Sequence, residues 1–382
     1  MFGKPINFMK FAGFKIGIDI SWFFIAILLS WTLAAGYFPF NYPHLTPAVY
    51  WIMGIAGMLG LFISVILHEL GHAVVARRFN LPIEQITLFI FGGVAEMKKE
   101  PPTPKAEFLV AIAGPIVSVI IAFGMYLLSS MGEQQGWPLS ITGVTRYLAL
   151  INAVIVGFNL VPAFPLDGGR MFRALLWWWK DNLEWATRIA TQLGSAFGFG
   201  LIFLGILSFI TGNLFIGLWW MILGLFLHQA ATYSRAQFYI KQELQNEKIN
   251  KFMTKNPIAV SPDLSIKSFI DQYVYQSHHH LYPVAENGKL LGYISLKEVK
   301  TVAPAEWEIT PVSKVIIPLS KIHTLSPDVT VLEALNLFHQ TDTTTLLVVD
   351  NEQLIGILTA QDIFKLLSIK FELNQTQLPL NH

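Results

Sequence analysis

Cysteine is absent from the chain. That excludes disulfide cross-links and thiolate metal sites, so any bound metal must be held by histidine and carboxylate. Charge is scarce too: Asp, Glu, Lys and Arg make up 13% of the 382 residues, against 53% hydrophobic residues. With a mean hydropathy of +0.50, this is not the composition of a water-soluble protein. The net charge of +1 lacks the basic excess of a nucleic-acid surface, so no nucleic-acid partner is expected. The apolar residues are unevenly spread. Nearly all long apolar runs, and all but one of the 11 tryptophans, lie before about residue 233.

Six apolar runs read as membrane spans: about 20–36, 50–78, 106–129, 146–161, which is a little short, 189–210 and 214–231. Lys4, Lys10 and Lys15 ahead of the first resemble the start of a signal peptide, but the run is span-length and further spans follow, which predicts an uncleaved helix. Lys and Arg gather in the N-terminal segment, at 77–105, at 170–188 and after 234, and are missing from 36–49 and 211–213. This alternation predicts a multi-pass protein of the cell membrane with both termini cytoplasmic. Ile16–Ile20 predicts a short strand. Residues 81–99 are too interrupted to span, and Ile86–Phe91 followed by Gly92-Gly93 predicts a hairpin. The mixture of Arg and Trp over 170–188, including Trp177-Trp178-Trp179, suits a helix at the membrane interface.

The second run ends in His68-Glu69-Leu70-Gly71-His72, an H-E-x-x-H pattern, followed by Arg77-Arg78. Ionisable residues inside an apolar span are costly and point to function. His68 and His72, at i and i+4, share one helix face, as two ligands of one metal require; Glu69 stays within reach of a metal-bound water, where a general base belongs. His68 lies nine residues before Arg77, roughly 13 Å in from the cytoplasmic end of the helix. A catalytic zinc usually has three protein ligands. Asp167 is the best candidate for the third, ahead of Glu84 and Glu96. It sits between Pro165 and Gly168-Gly169 just after a span, where broken backbone can line a cavity. An ordinary turn or cap Asp before glycine is the alternative. Asn159, just before Pro162, is either a helix C-terminal residue or a donor to an incoming peptide.

After residue 233 the chain reads as soluble. A charged helical linker, 234–251, precedes an internal repeat. SPDLSI (261–266), HHHLYPV (278–284) and GYISLKE (292–298) recur as SPDVTV (326–331), TTTLLVV (343–349) and GILTAQD (356–362). Each copy predicts helix, strand, turn and strand. His278-His279-His280 aligns with Thr343–Thr345, which favours a position in the fold over a metal site.

HELGH in a span, followed by N-x-x-P-x-x-x-x-D-G from Asn159 to Gly168, resembles the site-2 protease family of intramembrane zinc metalloproteases. Phe91-Gly-Gly-Val-Ala95 resembles that family's membrane-dipping hairpin, Ala113-Gly-Pro115 its third-span motif, and Asp19-Ile-Ser-Trp22 its strand leading into span one. The repeat resembles a tandem pair of CBS domains. The resemblance implies six transmembrane helices with a membrane-dipping β-hairpin, followed by a soluble α/β pair. It divides the chain into a protease domain at 1–233, the linker 234–251, CBS domains at 252–309 and 310–370, and a tail at 371–382. It implies one zinc ion per chain on His68, His72 and Asp167, with Glu69 catalytic. Asn159, Pro162 and the hairpin residues Phe91, Gly92 and Gly93 would meet substrate, a transmembrane protein such as an anti-sigma factor or a membrane-tethered regulator, unwound and paired by strand addition. The CBS pair implies an adenine nucleotide near Thr359 and Asp362, and near Ser295 and Glu298, or a module for homodimer formation, and through either a means of modulating activity. The competing reading is a transporter or channel, since CBS pairs also hang from those; it expects charges along a path across the bilayer rather than gathered near one side.

Overall fold

The computed structural model describes residues 6–11, 13–81, 83–89, 92–97, 100–245, 247–277, 279, 281–341 and 343–373. The chain forms two compact units, Met1–Arg235 and Ala236–His382.

The first unit begins with β1 (Ile6–Phe11) and β2 (Phe14–Ile18), an antiparallel pair. β2 then runs parallel to β3 (Ile83–Phe89), with Ile16 opposite Ile86 and Ile18 opposite Leu88. β4 (Gly92–Met97) returns antiparallel beside β3, completing a four-stranded sheet of order β1-β2-β3-β4. Period-2 alternation sends Phe14, Ile16 and Ile18 inward with Ile86 and Leu88. The expected strand lies two residues earlier than 16–20, since Ile20 already begins a helix, and the expected hairpin is present as β3 and β4. Their union is a finding, because the partners of this parallel ladder lie about 70 residues apart and nothing local in either announces the other.

Asp19 ends β2. Its N–H donates to the Leu88 carbonyl (2.9 Å), and its carboxylate accepts the Ser21 N–H (2.9 Å), capping α1 (Ile20–Thr32). A π-helical stretch, Leu33–Tyr37, joins α1 to α2 (Phe38–Asn41) as one span. α3 (Pro47–Arg78), α4 (Pro104–Gln134), α5 (Leu139–Asn159), α6 (Asp167–Lys180), α7 (Leu183–Ile210) and α8 (Leu214–Leu244) follow. All but α6 are long and apolar enough to cross a membrane, giving six spans among the described residues. Phe24, Trp31, Ile120, Phe123, Phe203 and Phe215 stand exposed on them, a surface that a lipid bilayer would cover without cost.

Two helices differ from expectation. α5 starts at Leu139, directly after Pro138, and is not short. The interfacial helix expected over 170–188 is two pieces. α6 stops at Lys180 because Asp181 is left-handed (φ 48°), and Asn182 then caps α7 by accepting the Trp185 N–H at 2.8 Å. Trp178 and Trp179 on α6 are exposed, and the Lys180 ammonium lies 4.6 Å from the Trp179 ring centre, as suits a membrane-surface anchor.

The second unit is α/β. In order come β5 (Thr254–Lys255), α9 (Ile266–Phe269), α10 (Tyr275–Ser277), β6 (Leu281–Glu286), β7 (Lys289–Ser295), α11 (Leu296–Val299), β8 (Ile317–Pro318), β9 (Thr324–Leu325), α12 (Val331–Thr341), β10 (Thr345–Asp350), β11 (Gln353–Thr359) and α13 (Ala360–Leu373). The main path of its seven-stranded sheet is β6-β7-β11-β10-β9. The two repeats supply equivalent hairpins, β6–β7 and β10–β11, which meet where Lys289 pairs with Gln353. Both hairpins turn through two left-handed residues, Asn287-Gly288 and Asn351-Glu352, the twist that tight β-hairpins require. There are two cores: one of Val260, Ile266, Phe269, Tyr282, Val284 and Ile294, and one in which Val331, Leu346, Val348, Leu358 and Ile363 of the second repeat pack with Phe252, from ahead of the first.

Within the first unit, the broken segment between α5 and α6 is held by contact with α7. A Cβ on Gly194 would overlap the Phe164 carbonyl oxygen, a backbone atom with no freedom to rotate away. Gly194→Val is expected to lower stability by about 1–3 kcal/mol through overpacking. Thermal unfolding in detergent, followed by circular dichroism, checks this; an unchanged midpoint would refute the contact.

Candidate metal centre

The H-E-x-x-H stretch lies in the last three turns of α3, so both histidines leave one face of the helix. They are 4% and 5% exposed. Asp167 arrives from the other direction. Pro162 and Pro165 prevent α5 from continuing, the chain turns through 160–166, with a cis peptide at Phe164-Pro165, and α6 opens on Asp167. Its carboxylate is 9% exposed and comes between the two rings.

Asp167 Oδ2 lies 3.0 Å from His68 Nε2 and 3.2 Å from His72 Nε2, and the two Nε2 atoms are 3.2 Å apart. Zinc bonds of roughly 2.0–2.1 Å in a tetrahedron separate ligand atoms by about 3.3 Å. The triangle therefore fits a zinc ion, and it is the one cluster of three potential ligands found among the described residues. The outer ring atoms are also engaged. His72 Nδ1–H donates to the Val110 carbonyl (2.7 Å), which leaves the Nε2 lone pair facing the triangle. His68 Nδ1 meets the Ser118 hydroxyl at 2.9 Å. Partners of this kind orient metal-binding histidines and set their basicity.

Gly114 makes the triangle possible. A Cβ there would overlap His72 Nε2 and come within 2.6 Å of His68 Nε2. The third-span motif is thus a gap in the wall of α4, placed where the donor atoms converge. Gly93 does the same for Glu69: a Cβ on it would stand 2.8 Å from Glu69 Cγ, so β4 lies directly over that side chain.

The other sequence candidates are placed as follows. Asn159 is the last residue of α5 and is half-buried; Pro162 is exposed in the turn after it. Gly92 and Gly93 open β4, which borders the sheet, while Phe91 lies outside the described residues. Glu84 is in β3 and Glu96 in β4, and the side chains of both lie outside what the structure describes. His278 and His280 lie outside the described residues. In the second unit, Ser295 and Glu298 form a reciprocal helix cap, with the hydroxyl and N–H of Ser295 donating to the Glu298 carboxylate. Thr359 and Asp362 do the same, with Thr359 Oγ1 donating to Asp362 Oδ2 at 2.6 Å.

Ser118, the Val110 carbonyl and a buried ion pair of Arg173 with Glu107 are absent from the sequence reading. Ser118 and Val110 carry no local signal, since one is a lone serine in a span and the other acts through its backbone. Arg173 and Glu107 did carry one, as charges next to apolar runs, but Arg173 merges there with the interfacial mixture around it.

Two histidines from a helix long enough to span a membrane and one carboxylate from the start of α6 thus form a triangle that could hold a metal ion, with a glutamate next in sequence to the first histidine. The Peptidase family M50 model matches residues 56–135 and 130–205, and the CBS domain model matches 249–304 and 312–369. Over 364 residues, 94% of this chain and 92% of the relative, the sequence is 32% identical to Rip3 of Mycobacterium tuberculosis, which bears a zinc-metalloprotease name. It is 34% identical over 313 residues, 81% of this chain and 84% of the relative, to a zinc metalloprotease of Methanocaldococcus jannaschii. Among solved structures, the site-2 protease from Methanocaldococcus jannaschii matches at 31% identity, covering 61% of this chain and 95% of that one, with a TM-score of 0.43. The chain belongs to peptidase family M50, the site-2 proteases, and carries a tandem CBS pair. The transporter or channel reading is not favoured, because these relatives bear protease names.

Gly114→Ala is expected to abolish zinc retention with the helices intact, since the methyl group would occupy the meeting point of two donor atoms. Metal analysis of the purified protein checks this; about one zinc per chain in the variant would refute it.

Proposed function

We propose that this protein hydrolyses peptide bonds within transmembrane segments of other membrane proteins, using one zinc ion held by His68, His72 and Asp167. The triangle of Nε2, Nε2 and Oδ2 atoms, 3.0–3.2 Å on each side, carries the reading. When bound, zinc supplies Lewis-acid chemistry, polarising a carbonyl and acidifying water. Val110 and Ser118 keep both rings turned for ligation. Glu69, next in sequence to His68, accepts the proton of the attacking water and returns it to the leaving amine. A transmembrane helix hides its peptide bonds in its own hydrogen-bond ladder, so a substrate must first unwind. β4 borders the sheet over Glu69, and its edge suits pairing with an extended segment. Asn159 and Pro162, at the end of α5, complete the substrate-facing set with Phe91, Gly92 and Gly93.

The substrate class we infer is the single-span regulatory protein, such as an anti-sigma factor or a membrane-tethered regulator. Both termini face the cytoplasm of a cell membrane, in keeping with the distribution of Lys and Arg. The protease domain occupies 1–233 and a helical linker 234–251. CBS domains at 252–309 and 310–370 then bind an adenine nucleotide or join two copies of the chain, and modulate cleavage. Thr359 with Asp362, and Ser295 with Glu298, are the nucleotide-facing candidates; their present capping bonds put a hydroxyl and a carboxylate at equivalent helix starts in the two repeats.

Glu69→Gln is expected to keep about one zinc per chain and to lose cleavage of a co-expressed substrate by a factor of at least 10², whereas His68→Ala loses the metal. Zinc content and a gel-based cleavage assay read both. Wild-type turnover by Glu69→Gln, or undiminished zinc in His68→Ala, would overturn the reading.

A further inference from the structure

Three residues of α4, Val110, Gly114 and Ser118, meet the histidines of the metal centre, and a fourth, Glu107, lies on the same face. Their spacing of i, i+3, i+7 and i+11 keeps them within about 80° of arc on one helix face. Val110 holds His72, Ser118 faces His68, and Gly114 gives both rings their space. Glu107 touches neither histidine. It is fully buried and reaches Arg173 of α6, the helix that Asp167 opens.

Arg173 is 4% exposed. Its Nε and Nη2 both donate to Glu107 Oε1, at 2.6 and 2.5 Å. Nη2 also reaches Glu100 Oε2 at 3.3 Å, and Nη1 reaches Thr187 Oγ1 of α7 at 3.4 Å. The guanidinium carbon stands 5.1 Å from the centre of the Phe164 ring, in the turn that leads to Asp167. One planar fork thus ties α6 to α4, to α7 and to the broken segment. A lysine, with a single nitrogen, could not hold these partners at once.

We propose that Arg173 and Glu107 are positioning residues for Asp167: they fix the carboxylate against the two histidines and so set the zinc affinity of the site. This rests on the zinc-ligand reading above. The pair makes no contact with the three donor atoms, so its influence must pass through the placement of α6. The histidines reach the same helix face by another route, through Val110 and Ser118. α4 is thereby a common frame on which ligands from two separate helices are brought into register.

A merely structural clamp and a positioning clamp differ in one measurable respect. Removing Arg173 alone would strand a buried carboxylate, so the informative variant is E107Q/R173M. Zinc affinity is measured on the full-length chain in detergent, by competition with a chromogenic chelator, in the wild-type background and in D167A. We expect E107Q/R173M to weaken Zn2+ binding roughly 10–100-fold in the wild-type background, the range seen when supporting groups are lost. In D167A, where there is no carboxylate left to place, it should change affinity less than about twofold. Unchanged affinity in the wild-type background, or the same loss in both, would overturn the proposal. D167A with wild-type affinity would instead overturn the zinc-ligand reading. If E107Q/R173M does not fold, E107Q alone is carried through the same cycle, with the same two outcomes deciding.

Discussion

Burying a polar group where water cannot follow costs several kcal/mol unless it finds a partner, and the first unit is arranged around that cost. His68, His72 and Asp167 are each nine-tenths buried or more, and each donor atom has a partner within 3.2 Å. The supporting groups meet the same demand: His72 on a backbone carbonyl, His68 on Ser118, Arg173 on Glu107. Ser64, one turn before His68, receives a hydrogen bond from the fully buried Asn152 of α5. Few buried polar side-chain atoms stay unpartnered among the described residues: the Trp22 indole nitrogen and one oxygen each of Glu107 and Asn152. The polar groups thus form short chains between helices, and those chains bring α3, α4, α5 and α6 to one place.

How much of this could be read from the sequence follows from which interactions are local. The six spans, the H-E-x-x-H face and the break before Asp167 are all written in runs of neighbouring residues, through apolar length, helical spacing and proline. The two repeats were legible because the chain states them twice. Less legible were partnerships between distant segments. Nothing in Phe14–Ile18 announces a parallel partner at Ile83–Phe89. Nothing in a serine at 118 announces a histidine at 68. Arg173 illustrates the harder case, since its neighbours Arg170, Trp178 and Lys180 make a convincing interfacial stripe, and burial of one member shows only once α4 and α7 are packed against it. Helix ends were misjudged for a related reason. A proline at 138 and a left-handed aspartate at 181 decide them, and hydropathy is blind to both.

Glycine and proline do the positioning work in the protease unit that side chains do in the second. Gly114 and Gly93 let backbone approach the reactive groups, and Gly194 lets α7 press on the turn before Asp167. In the second unit the repeats instead close over two small aliphatic and aromatic cores, and the hairpin turns carry the strained residues. A substitution at Gly114 or Gly93 therefore threatens geometry before stability, whereas one in a core of the second unit threatens the packing there.

The position of β4 over Glu69 has a consequence of another kind. A helix bundle offers an extended chain no natural unit of length. A strand does, because its side chains and hydrogen-bonding groups repeat every two residues, about 6.6–6.8 Å. A chain laid along β4 can slide past Glu69 only in steps of that size without losing its ladder. Peptide bonds of one parity return to the same place, and their neighbours face the other way. If substrate pairs with β4 as proposed, the small sheet would act as a ruler for a site that is otherwise built from helices.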